Sequence, residues 1–343
     1  MPSIMLQEIS AIPQVVAAAL TEDRALYAEA GRMLRERHPA FAATVARGSS
    51  DHAASYAASL FGIRVGLATA SLSPSLVTRY GARLALSGAL VLAVSQSGAS
   101  PDLVDVLAMA RHGGALTVAL VNALNSPLAR QAECVLPQRA GPEQAVAATK
   151  SFVLSLLGIA RLVATWTEDA ALTSALALLP DRLEAALQCD WSAARETLRG
   201  VNEAGTFVLA RGPTLAMAQE AALKLKETSY LHAEALSSAE IRHGPRAVID
   251  RRFPVLGFAL SDAGGADTRA LCAELANAGA PVLLASHTPA SAGTHLPLPP
   301  PLHTLLDPAV AVTAFYPFAE ALARARGLDP DRPRSLQKVT RTI

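Results

Sequence analysis

The sequence predicts an α/β protein of two tandem domains, each a parallel sheet covered by helices on both faces in the three-layer manner of flavodoxin-like and Rossmann-like folds. Three observations predict it. Short, continuous apolar runs alternate with helical patterns, as parallel βαβ units require, because their strands are covered on both faces and lack polar alternation. The chain also repeats itself: ATVARGSSDHAASYAASL (43–60) and TFVLARGPTLAMAQEAAL (206–223) share the order strand, small polar turn, helix, with Arg47 and Arg211 standing 164 residues apart. The same shift of 164 relates Val91 in ALVLAVSQSG (89–98) to Val255 in FPVLGFALSD (253–262).

Along the chain, residues of about 14–38 have helical periodicity, and the first strand, turn and helix follow from residue 43. The second strand starts at 89, and the third, ALTVALVN (115–122), comes after a helix ending at Gly113-Gly114. A helical region of about 145–200 with a break at Pro180 precedes the second set of strands, of which APVLLASH (280–287) follows Gly279. Proline excludes LPLPPPL (296–302) from helix and central strand, so a surface crossing is expected there before a last helix over 308–326. The expected division is a helical arm over 1–24, a first domain over 25–190 and a second over 191–343.

A chain of 343 residues has room for about two domains. Lys and Arg number 30 against 29 Asp and Glu, so no long-range field gathers nucleic acid or an anionic membrane, and a small-molecule substrate is the expected partner. The longest apolar runs, such as FVLSLLGIARLVATW with Arg161 inside it, stop short of the roughly 20 residues a bilayer requires. The N-terminal MPSIMLQEIS has no basic segment followed by an apolar one, so a cytoplasmic location is expected. Cys134, Cys189 and Cys272 have no disulfide or zinc spacing and are expected to be small buried hydrophobes; no metal or cofactor is expected.

Open parallel sheets bind ligands beyond the carboxyl ends of their strands, which directs attention to the turns after the first two strong strands. One offers Gly48, Ser49 and Ser50. The other offers Ser95, Gln96, Ser97, Gly98 and Ser100, with Pro101 suited to a first helical position. Hydroxyls, a glycine that lets the backbone approach and the free N–H groups of a starting helix suit a phosphate monoester. Neither a Walker lysine nor GxGxxG is present, which argues against nucleotides. The competing reading is that Ser and Gly only cap helices; two such loops at matching depth favour binding.

The segment ALKLKETSYLHAEALSSAEIRHGP (222–245) gathers Lys224, Lys226, Glu227, His232, Glu234, Glu240 and His243 in an otherwise apolar chain. Glu227 follows Leu223 and Leu225 on a helix expected to pack on the sheet, which makes it a partly buried carboxylate suited to proton transfer near neutral pH. The alternative is a solvated helix face with ordinary Lys–Glu pairs, with His243 a simple loop residue.

Taken together, SQSGAS, AVAATKSF (145–152), ALKLKETSYLHAEA, E-x-x-HGP and DPDRPRSLQKVT (329–340) resemble the sugar isomerase (SIS) domain family over nearly the whole chain, from about residue 25 to Thr342. The tandem arrangement is similar to the isomerase half of glucosamine-6-phosphate synthase. The resemblance implies that Ser50, Ser95, Gln96, Ser97 and Ser100, with Ser49 beside them, hold a sugar phosphate, and that Val146 touches the sugar through its backbone. It implies that Glu227 shuttles a proton between two adjacent carbons, that Lys224 tunes or positions it, and that His243 assists ring opening. Lys338 corresponds to a lysine able to form a Schiff base with an open-chain ketose. It further implies a homodimer, because the histidine loop of relatives enters the neighbouring subunit's site.

Departures from the family pattern are Arg47 for a cysteine, Ala99 for an acidic residue and Gln337 for the usual alanine. The chain starts at the isomerase-like portion without an N-terminal cysteine, which makes glutamine-dependent synthesis an unexpected activity. RGSSDHA, SQSGASPD and KVT-x-T are similar to the stand-alone deaminase branch, so the expected reaction converts glucosamine 6-phosphate to fructose 6-phosphate and ammonia. Within the enzymes the alternatives are a fructosamine-6-phosphate deglycase and a galactosamine-6-phosphate deaminase/isomerase; outside them stands a non-catalytic sugar-phosphate sensor.

Overall fold

The computed structural model describes residues 2–201 and 205–338, and they form two compact units. One contains Gln14–Glu143 and Lys150–Ala177, together with Gln337 and Lys338. The other contains the chain up to Pro13, Gln144–Thr149 and Leu178–Leu336. Packing, rather than a single position along the chain, draws the division.

The first unit is built on a sheet of β1 (Phe41–Val45), β2 (Thr69–Ser71), β3 (Ala89–Ser95), β4 (Leu116–Val121) and β5 (Cys134–Pro137). Its order is β2-β1-β3-β4-β5 and every pairing is parallel. ALVLAVS of β3 is buried at every position, which is why it reads as an unbroken apolar run. The helix Lys150–Trp166 is buried on nearly all sides, and Arg161 lies within it. Its guanidinium donates to the carbonyls of Ala19 and Glu22 at 2.8 and 2.7 Å and lies over the Tyr27 ring, so the charge that interrupts the apolar run is fully used.

The second unit repeats the plan with β6 (Thr206–Ala210), β7 (Ala233–Ser237), β8 (Val255–Ala259), β9 (Val282–Ser286) and β10 (Thr294–Pro297). The order β10-β9-β8-β6-β7, again all parallel, is the first sheet's order read from the other edge. Both sheets therefore have the doubly wound 2-1-3-4-5 order, with a switch point between the first and third strands. The helix Thr214–Ser229 follows β6, and Asp307–Ala325 closes the unit close to its expected span.

Two local expectations are corrected. The segment LPLPPPL is not wholly a surface crossing: Leu296 and Pro297 complete the edge strand β10, where a missing N–H costs no central ladder bond, and Leu296 and Leu298 are buried. The helix break expected at Pro180 is present, between the helices Ala170–Ala177 and Leu179–Leu187, with Pro180 in the first turn of the latter. Of the cysteines only Cys272 is fully buried, and burial pushes its thiol up to about 12; Cys134 opens the edge strand β5 and Cys189 follows a helix end, so both are half-buried. Among the described residues no single helix is long and apolar enough to cross a membrane.

Candidate functional site

In the first unit β1 runs out at Val45, and Gly48 (φ 54°) turns the chain into the helix Ser49–Leu60, which places Ser49 and Ser50 in its first turn. Next to it, β3 ends at Ser95, whose Oγ accepts the Gly98 N–H at 3.0 Å. Ser97 Oγ accepts the Ala99 N–H at 3.3 Å, and the Gln96 carbonyl accepts the Ala123 N–H at 3.3 Å. A hydroxyl that accepts an N–H keeps its own proton to donate. Ser100 is the N-cap of the helix Pro101–His112 and makes no side-chain cap bond. Gly98 is required twice over: its φ is 57°, and a Cβ there would lie 2.1 Å from Ser126 Oγ. The structure thus brings Ser49, Ser50, Ser95, Gln96, Ser97 and Ser100 to the two strand ends that flank the switch point.

Two residues beside these turns were not anticipated from sequence as partners. Arg47 donates through Nε and Nη2 to Oδ2 of the buried Asp102, at 3.0 and 2.8 Å. In the same unit, Lys338 Nζ donates to Glu143 Oε2 at 2.7 Å, and Glu143 also accepts the N–H and hydroxyl of Ser151 at 3.0 and 2.7 Å. Burial pushes the Glu143 carboxyl up, but the Lys338 charge and hydrogen bond and the Ser151 donors outweigh it and hold the group below its usual range. Val339 and Thr340, which end the C-terminal motif, lie outside the described residues.

The second unit holds the other candidates. On the helix Thr214–Ser229 the spacing of Glu220, Lys224 and Glu227 puts all three on one face. Lys224 and Glu220 side chains are fully buried, whereas Glu227 is 20% exposed. Lys224 Nζ hydrogen-bonds Glu227 and lies 3.4 Å from Glu220 Oε1, while the Tyr316 hydroxyl donates to Glu220 at 3.4 Å. Glu220 escaped the sequence reading; its signal was a carboxylate one helical turn before a lysine in an apolar helix. Tyr230 ends this helix in the left-handed region (φ 51°), with its hydroxyl accepting the Arg334 N–H at 2.7 Å and the Arg334 guanidinium over its ring.

Val146 is half-buried and donates its N–H to the Asp331 carbonyl at 3.4 Å. The two residues before it, Gln144 and Ala145, donate their N–H groups to Glu8 at 2.5 and 3.3 Å. Asp331 also accepts the N–H groups of Ile4 and Met5, at 2.8 and 2.7 Å, at the start of the helix Ile4–Ser10. His243 closes a single 3-10 turn, Glu240–His243, and is exposed.

At the second unit's own switch point the chemistry differs. Asp262 caps its helix by accepting the Gly265 N–H at 2.7 Å; burial pushes its carboxyl up, the Gly265 N–H opposes this, and the Asp307 charge adds to the rise. Ser261 donates to the fully buried Asp307. Asp262 is thus the helix N-cap where the first unit has Ser100.

A sequence-family model for the SIS domain matches residues 39–164 and 202–298. A crystal structure of a candidate phosphosugar isomerase from Silicibacter pomeroyi DSS-3 is 44% identical, with 96% of this chain and 100% of that one covered at a TM-score of 0.91. The glutamine–fructose-6-phosphate aminotransferase (isomerizing) of Aeropyrum pernix is 38% identical over 73% of this chain and 43% of its own length. The aminotransferase of the same description from Thermococcus kodakarensis is 34% identical over 98% of this chain and 58% of its own. The chain therefore spans about half the length of the curated relatives it matches.

Proposed function

The chain belongs to the SIS domain family, and on that premise we propose that it is a phosphosugar isomerase-type enzyme that converts glucosamine 6-phosphate to fructose 6-phosphate and ammonia. The observation that carries the proposal is the line Glu220–Lys224–Glu227, one buried and one partly exposed carboxylate around a buried lysine, of which only Glu227 reaches the surface. Burying the charges of Glu220 and Lys224 is costly unless they are paired. Chemistry at the exposed end is a reason for a fold to maintain such a line.

In this reading the serine turns hold the phosphate through hydroxyls and helix-start N–H groups. Glu227 removes the proton from C2 of the open-chain aldehyde, giving an enolamine, and returns it at C1. The resulting ketose imine is hydrolysed by water, which expels ammonia. Lys224 and Lys338 supply positive charge for the oxygen that becomes enolate-like. The exposed His243 suits a loop that serves the site of a second copy, so a homodimer, acting in the cytoplasm, belongs to the same proposal. Deamination is preferred to glutamine-dependent amination because RGSSDHA and SQSGASPD resemble the deaminase branch.

The test is an assay for ammonia and fructose 6-phosphate with a panel of glucosamine, galactosamine and fructosamine 6-phosphates. Equimolar products from the first substrate support the proposal. Turnover of only another member, or isomerisation of a ketose without ammonia, retains the isomerase chemistry and removes the assignment of substrate. Binding without turnover of any of them points to a sensor.

A further inference from the structure

We infer that Arg47 is a positioning residue of the phosphate corner: it ties the two serine turns together and cancels the charge of Asp102 beside them. The inference rests on the reading of those turns as a phosphate site. Arg47 immediately precedes Gly48-Ser49-Ser50, and both of its bonds go to Asp102, two residues past Ser100. One guanidinium therefore spans the switch point, from the exit of β1 to the first turn of the helix after β3.

Asp102 is only 1% exposed. A carboxylate in the first turn of a helix favours that helix, but the same N–H groups are those offered to a dianion, and two anions compete there. Unpaired, buried Asp102 repels the phosphate; paired through two N–H donors, it leaves the corner close to neutral. The repeat supplies a contrast. Arg211, 164 residues on, bonds Asp267 at 2.6 Å, yet those side chains are 45% and 56% exposed, so that pair is screened by water and contributes little. Of these two arginine pairs, only the one at the serine corner has a buried acid.

The experiment compares Arg47→Met, Asp102→Asn and the double variant of the full chain, titrated calorimetrically with fructose 6-phosphate at two salt concentrations, with thermal unfolding recorded for each. Arg47→Met is expected to weaken binding by roughly tenfold or more, because it removes the guanidinium charge from a buried acid that keeps the Leu103 N–H as a donor. The double variant is expected to recover to within about threefold of the parent, since the opposing charge is gone. Asp102→Asn alone should bind at least as tightly as the parent and with a steeper salt dependence, because its arginine is freed; this arm decides the matter should Arg47→Met not fold. A double variant that binds as weakly as Arg47→Met overturns the inference and makes Arg47 a direct phosphate contact. Unchanged binding by Arg47→Met also overturns it. If the parent itself binds no phosphosugar, the phosphate reading falls and this one falls with it, an outcome separable from failure of the variants alone.

Discussion

The two repeats share one strand order and differ at one corner. At the switch point of the first, Ser95, Ser97 and Ser100 surround a glycine turn and Asp102 is neutralised by Arg47. At the switch point of the second, Asp262 is the helix N-cap where the first has Ser100, and Ser261, 164 residues after Ser97, donates to the buried Asp307. The proposed function has an anion held at the first and not at the second, although the backbone plan is the same. The second repeat instead places charge on the helix after its first strand, as Glu220, Lys224 and Glu227. A duplicated fold thus supplies two scaffolds, and in the function proposed above side chains alone assign one to holding and the other to proton transfer.

The sharpest way to break this comparison is Glu227→Gln, which should lower turnover by about 10²- to 10⁴-fold while leaving fructose 6-phosphate binding intact, as read by steady-state rates and calorimetry. Next is Lys224→Met. It leaves Glu220 and Glu227 facing one another without a cation, one of them fully buried, and should cost about 3–5 kcal/mol in denaturant unfolding. Ser97→Ala and Ser100→Ala in the first repeat should each raise KM roughly tenfold, the worth of a hydrogen bond to a charged group, whereas Ser261→Ala in the second should leave KM unchanged. Glycine replacements sharpen the contrast: Gly98→Ala must displace Ser126, while a Cβ on Gly212 meets nothing nearer than 3.7 Å, so thermal unfolding should fall more for the first although both have positive φ.

The smallest effect concerns pH. The folded Glu143 carboxyl lies below its ordinary 4.5, so its contribution to stability is fully present above about pH 4.5 and is lost as pH falls through the folded value. Glu143→Gln should therefore flatten the acid side of the unfolding profile. Equal slopes for the variant and parent below pH 4.5 would contradict the pairing with Lys338.

What was legible in sequence follows from what is local. The strand β3 could be read because seven consecutive residues are buried, and the serine turns because small polar residues interrupt such runs. The strands β2 and β10 could not: they are edge strands of three and four residues with exposed positions, and Pro297 argues against a strand. Lys224 and Glu227 stood out by residue type on one helix. Glu143 and Glu8 did not, since their partners lie 195 and 136 residues away in the chain, and only folding brings Lys338 to one and Gln144 to the other. Asp331 was hidden for the same reason, 327 residues from Ile4. The one-position logic of motifs finds groups that touch substrate more readily than the groups that hold them.

The central claim, that Glu227 carries hydrogen between adjacent carbons of a phosphosugar, is tested most directly by turnover in D₂O. Incubated with glucosamine 6-phosphate, the parent chain is expected to yield fructose 6-phosphate with deuterium at C1, detected by NMR, and Glu227→Gln to yield none. Deuterium at C1 in the product of the Glu227→Gln variant at the parent's rate would contradict it.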